Sequence, residues 1–168
     1  QGQDALELFS DETYERVPGA EGSYDGLAVS AAIMAVLGKE RSQRFAAAKQ
    51  MINAVKQKTG TEDGDNVSAA ILLMADARSL EHLDAVYHRI GEIKARRGSF
   101  DATGLAAAIL SLAPQVSMDG FEQVYKEMAS RGRGTHDALV ITAAMLCIMD
   151  QLKPGQRSLG EAWFVIRT

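Results

Sequence analysis

The chain has 168 residues, 46% hydrophobic and 24% charged, with a net charge of −4. That bounds it to one domain or one run of repeats with a buried core, and gives no overall electrostatic pull towards nucleic acid or anionic lipid. A single cysteine, Cys147, excludes an intrachain disulfide and a cysteine-based zinc site, and the longest near-apolar run, 27–37, falls short of the ~20 residues a bilayer requires.

Residues 1–23 read as a lead-in. Asp4-Ala5-Leu6-Glu7-Leu8-Phe9 suits a short helix, and Val17-Pro18-Gly19-Ala20-Glu21-Gly22-Ser23 breaks regular structure. The chain opens on Gln1 without a signal peptide. The expectation is a soluble protein of a reducing compartment, or of an organelle after loss of a targeting segment.

From residue 24 the sequence repeats itself. Asp25, Asp63, Asp101 and Asp137 each stand six residues before a pair of alanines, and their spacings are 38, 38 and 36. Fixed periods of this size mark stacked helical units. The reading is an all-α fold, an α-solenoid of helical hairpins. It has three full copies and a partial fourth, near 24–61, 62–99, 100–135 and 136–168, in one domain spanning 24–168.

Each copy reads as two helices. The first follows the aspartate and is apolar almost all round, as in Ala31-Ala32-Ile33-Met34-Ala35-Val36-Leu37. A helix without a polar face is expected to be covered on most sides. A short polar link follows, ending in a serine fit to cap the next helix: Ser42, Ser79 and Ser117. The second helix is amphipathic. Phe45, Leu83 and Phe121 correspond, as do Ile52, Ile90 and Met128, while Lys49, Lys56, Arg89, Glu122 and Lys126 fall on the face assigned to water. The fourth copy holds a first helix from Asp137 to about Met149. Lys153-Pro154-Gly155 then breaks it, and Ser158–Thr168 reads as a terminal helix over the last open face, with an extended segment as the alternative.

Two rows of charge recur. The four aspartates are read as helix N-caps rather than as a catalytic or cation-binding row, because capping explains position, identity and recurrence together. The second helices end in cations followed by glycine: Lys56 and Lys58, then Lys94, Arg96 and Arg97, then Arg131 and Arg133. These suit the helix dipole and a left-handed turn. Stacked side by side they also draw a stripe that would meet an anionic partner, so these seven residues are the candidate partner-binding positions. Nothing assembles a catalytic, cofactor or metal site. His82, His88 and His136 form no ligand pattern, and the glycines punctuate repeats without making a phosphate loop.

Phe121-Glu122-Gln123-Val124-Tyr125-Lys126-Glu127-Met128-Ala129-Ser130-Arg131-Gly132 resembles the second helix of a pentatricopeptide repeat. Leu83-Asp84-Ala85-Val86-Tyr87 resembles the same segment, and Ala5-Leu6-Glu7-Leu8-Phe9 does so loosely. Tetratricopeptide-type hairpins share these features. The resemblance implies a right-handed superhelix of hairpins that binds single-stranded RNA in organelles, with a polar residue of each first helix reading a base. Ser30 and Thr142 stand near such positions, but Ala106 and Ala107 offer no hydrogen bond, the repeat is longer than the family's, and the chain is acidic. The reading that follows is a non-catalytic scaffold for protein–protein contact, of a kind that serves as a subunit of a larger assembly. The alternative is a pentatricopeptide-like RNA binder using the basic stripe.

Overall fold

The structure, a computed structural model, describes residues 22–75, 80–132 and 134–152. The lead-in to residue 21, Ser79, Arg133 and the segment from 153 to 168 lie outside the described residues. Among the described residues there are eight helices and no strand.

Each first helix begins one residue before its aspartate: α1 (Tyr24–Leu37), α4 (Glu62–Leu72), α6 (Phe100–Leu110) and α8 (His136–Leu152). The second helices are α3 (Phe45–Lys56), α5 (Leu80–Ile93) and α7 (Met118–Ser130). A four-residue turn of helix, α2 (Lys39–Ser42), fills the first polar link. Ser42 closes this turn instead of capping α3, and its hydroxyl donates to the Gly38 and Met34 carbonyls. Ser117 caps α7 as its sequence suggests, with its Oγ accepting from the Gly120 N–H at 2.9 Å.

The helices α1, α4, α6 and α8 pack against one another in chain order. Alanine makes this possible. Ala69, Ala70, Ala106, Ala107, Ala108, Ala143 and Ala144 are all buried in the seams, where a larger side chain would hold the backbones apart. The second helices lie along this row, α3 against α4, α5 against α6 and α7 against α8. Their apolar stripes meet it, with Phe45, Leu83 and Phe121 fully buried. Each second helix therefore pairs with the first helix that follows it, across the glycine turn, and not with the one before it across the polar link.

Those turns are tighter than a single glycine cap. Gln57 and Lys58 both adopt left-handed φ, at 53° and 61°, and Ala95 and Arg96 do the same at 50° and 57°. The Lys58 N–H reaches back to the Asn53 carbonyl at 3.1 Å, and the Arg96 N–H to the Gly91 carbonyl at 2.9 Å. These are Schellman closures, built without glycine at the left-handed positions. Gly60 and Gly98 supply the further positive φ that swings the chain into the next first helix.

Candidate interaction surface

The aspartates are not the caps. The N-cap of each first helix is the hydroxyl residue two places earlier. Ser23 accepts from the Gly26 N–H, Thr61 from Gly64, Ser99 from Ala102 and Thr135 from Ala138. Asp63, Asp101 and Asp137 instead each reach back to the cap of the preceding first helix. Asp63 takes the Ser23 N–H at 2.7 Å and the Ser23 hydroxyl. Asp101 takes the Thr61 N–H at 2.9 Å and its hydroxyl at 2.6 Å, and Asp137 takes the Ser99 N–H at 2.7 Å. A serine or threonine cap keeps its own backbone N–H and hydroxyl proton unsatisfied, and the carboxylate supplies the acceptor. The motif is Gly-Ser/Thr-x-Asp, at 22–25, 60–63, 98–101 and 134–137. Its glycine makes room: a Cβ on Gly22, Gly60 or Gly98 would lie 2.5, 2.2 or 2.3 Å from the aspartate oxygen. The hydroxyl residue between glycine and aspartate was the legible signal for this latch.

Two cations of the expected stripe are interior. Lys56 and Lys94 are each only 2% exposed. The Lys56 ammonium bridges Asp65 and Asp101, 2.6 Å from each. Burial disfavours its charge, but the bonds to Asp101 and Asp65 outweigh that and hold its pKa above the ordinary lysine value. Asp65 is raised, chiefly by burial, whereas in Asp101 burial is outweighed by the bonds from Lys56 and Thr61 and the pKa is lowered. Lys94 occupies the same register position, yet Thr103 stands where Asp65 stood. Its ammonium donates to the Thr103 hydroxyl at 2.8 Å and the Ser99 carbonyl at 3.2 Å. Burial, offset only in part by Asp137, pulls its pKa below the ordinary value. The lysines fold inward because each sits at the tight turn, where its stem covers the next helix and its head finds the latch. The exposed cations at these helix ends are Lys58, Arg96, Arg97 and Arg131, and Arg133 lies outside the described residues. Lys49 is also buried rather than solvated, paired with Glu62 at 2.8 Å. Ser30 does not read outward either: it is buried, and its hydroxyl donates to the Gly26 carbonyl at 2.8 Å.

The opposite departure concerns α1 and α8, which carry exposed apolar residues, whereas α6 is covered on most sides as expected. Past the opening turn no first helix carries an exposed charge through 27–37, 66–74, 102–112 or 138–149. Val36 is 85% exposed and Val29 49%, and Met74, Met145 and Met149 are also exposed. Val29, Val36 and Met74 belong to one register. Val29, Ile33 and Val36 on α1 correspond to Val67 and Ile71 on α4 and to Met74 in the turn after it, each 38 residues on. On α1 the three lie four then three apart, so they form one stripe. The stripe presents apolar surface away from the seams that bury alanine.

Among the described residues no group of histidine, cysteine, aspartate or glutamate could hold a metal ion, and no helix is long and apolar enough to cross a membrane. Asp63 and Asp101 have both carboxylate oxygens engaged by cap residues, and Asp137 has one. No family model matches the chain, and neither a curated protein nor a solved structure does.

Proposed function

We propose that the protein is a non-catalytic helical-repeat scaffold, an α-solenoid, that binds another protein through the apolar face of its first-helix row. The partner presents an apolar helix face. The carrying observation is the charge-free stripe in register along α1 and along α4 with the turn after it, with Val36 and Met74 exposed. Contiguous exposed apolar surface on a soluble protein marks an interaction site, and a stripe of methionine and branched aliphatics accommodates helical partners by packing. A photo-crosslinking residue placed at Val36 or Met74 in the full chain tests it. The expected result is one discrete protein adduct from either position and none from Lys126 on the outer face of α7. Adducts that do not depend on position would overturn the reading.

RNA binding is supported by the exposed Lys58, Arg96, Arg97 and Arg131. It is the weaker reading, since the two most regularly placed cations face inward. A gel shift at low salt that weakens when Arg96, Arg97 and Arg131 become neutral would favour it.

A further inference from the structure

Among the described residues the latch between successive first helices has an unused half at each end of the row. Asp25 occupies the latching position of α1, and its carboxylate has no hydrogen-bond partner among the described residues, whereas Asp63, Asp101 and Asp137 each hold a cap. At the other end Gly134 and Thr135 repeat the receiving pair. The Thr135 N–H has no acceptor among the described residues. A Cβ on Gly134 would meet nothing within 4 Å, while at Gly22, Gly60 and Gly98 it would strike an aspartate. Among the described residues no carboxylate occupies the receiving position.

The helix faces beside these half-latches are less covered than their counterparts within the row. On α6 the upstream seam is Gly104, Ala108 and Ser111, all buried, but their α1 counterparts Ala28, Ala32 and Ala35 are only partly covered. On α6 the downstream seam is Ala102, Thr103, Ala106 and Leu110, again all buried. On α8 the counterparts are open: Ala138 is exposed, and Leu139, Thr142 and Leu146 are partly covered. Each open face is small and apolar, and each is the complement of the other, because α8 stands to α6 as α6 stands to α4. Ala138 does not block the junction, since Ala102 holds the same position in a latch that is closed.

We infer that the protein self-associates head to tail, the α8 face of one copy packing on the α1 face of a second, with Asp25 latched to the Thr135 N–H and hydroxyl across the junction. The occupant is a second copy because the internal seam already shows the fit, repeated three times within one chain. Such a contact is heterologous: it uses different surfaces on the two molecules and leaves a free end of each kind, so assembly continues instead of stopping at two. The inference rests on the register relation among the first helices and is independent of what binds the Val36 stripe.

Sedimentation of the full chain over a wide concentration range tests it. The expected result is a mass that rises with concentration past the dimer. Ala32→Arg closes one face and Thr142→Arg the other, so each variant alone stays monomeric. Mixed, they form a one-to-one dimer and go no further, because one intact face of each kind remains. Asp25→Asn, at an exposed position, weakens association about tenfold or more without loss of helical signal, as expected when a charged hydrogen-bond acceptor becomes neutral. The mixing experiment is read only if both arginine variants keep the wild-type helical spectrum. If either does not, the Asp25→Asn measurement decides. A wild-type chain that stays monomeric throughout overturns the inference, and so does a dimer that persists in both arginine variants or an association indifferent to Asp25→Asn.

Discussion

Lys56 and Lys94 share a register position and a degree of burial, and they differ in what they neutralise. Lys56 lies between two carboxylates. Removing one partner of a buried ion group leaves uncompensated charge, so Lys56→Met is expected to cost ~3–5 kcal/mol, read as a lower urea midpoint. Lys94 donates to neutral oxygens, and Lys94→Met is expected to cost under ~1 kcal/mol or to stabilise, by removing a poorly compensated buried charge. The two also differ in pH dependence. The folded pKa of Lys94 is depressed, so the folded chain binds fewer protons at this site than the unfolded chain. Stability is then expected to rise with pH from the folded pKa up to the unfolded value of about 10.4, and Lys94→Met removes that rise. Lys56 runs the other way. Its stabilisation is complete below the unfolded value and is lost as pH climbs through the raised folded one. Comparing urea midpoints of the two variants across the alkaline range separates these signs. None of this was legible from the sequence. A lysine in the last turn of an amphipathic helix has the look of a solvated dipole partner, and only the path of the turn decides whether its head points out or in.

Among the elements, helix identity and approximate bounds followed from periodicity, since the three-then-four spacing of Phe45, Ala48 and Ile52 leaves a strand no place. The caps were misassigned for a local reason. Aspartate and serine are both good cap residues, and the sequence offers both within three positions. What separates them is the long-range bond from aspartate to the preceding cap, which no local rule encodes. The turns between elements carry strain that can be relieved. Ala95 sits at φ 50°, where its Cβ crowds the backbone, so Ala95→Gly is expected to raise stability by ~1 kcal/mol in a chemical melt. The glycines at the latch divide sharply. Gly60→Ala drives a Cβ into Asp101 at a φ of +82°, and a loss of about 2 kcal/mol or more is expected. Gly134→Ala at φ +89° meets open space and should lose only about 1 kcal/mol for its backbone conformation.

For the whole molecule, the periodicity foretold an all-helical chain, and a shared 38-residue phase places equivalent positions on equivalent faces. It did not foretell which face stays open. The first helices are apolar on every side, so hydrophobicity alone assigns no direction, and the coverage by α3, α5 and α7 breaks the tie. The exposed stripe is expected to matter little to the isolated fold. Val36→Glu should shift the thermal midpoint by no more than the equivalent of ~0.5 kcal/mol, since its side chain already faces water. Were it to unfold the protein, the stripe would belong to the core.

The latch also sets an order in time. The hydroxyl that caps one helix waits for a carboxylate forty residues further on, in two of the three closed latches. During synthesis the amino-terminal helices leave the ribosome with their starts only half satisfied, and each is finished when its successor arrives. Completion therefore travels along the nascent chain one unit behind elongation. A ribosome stalled partway leaves its most recent helix as the one still open to a chaperone.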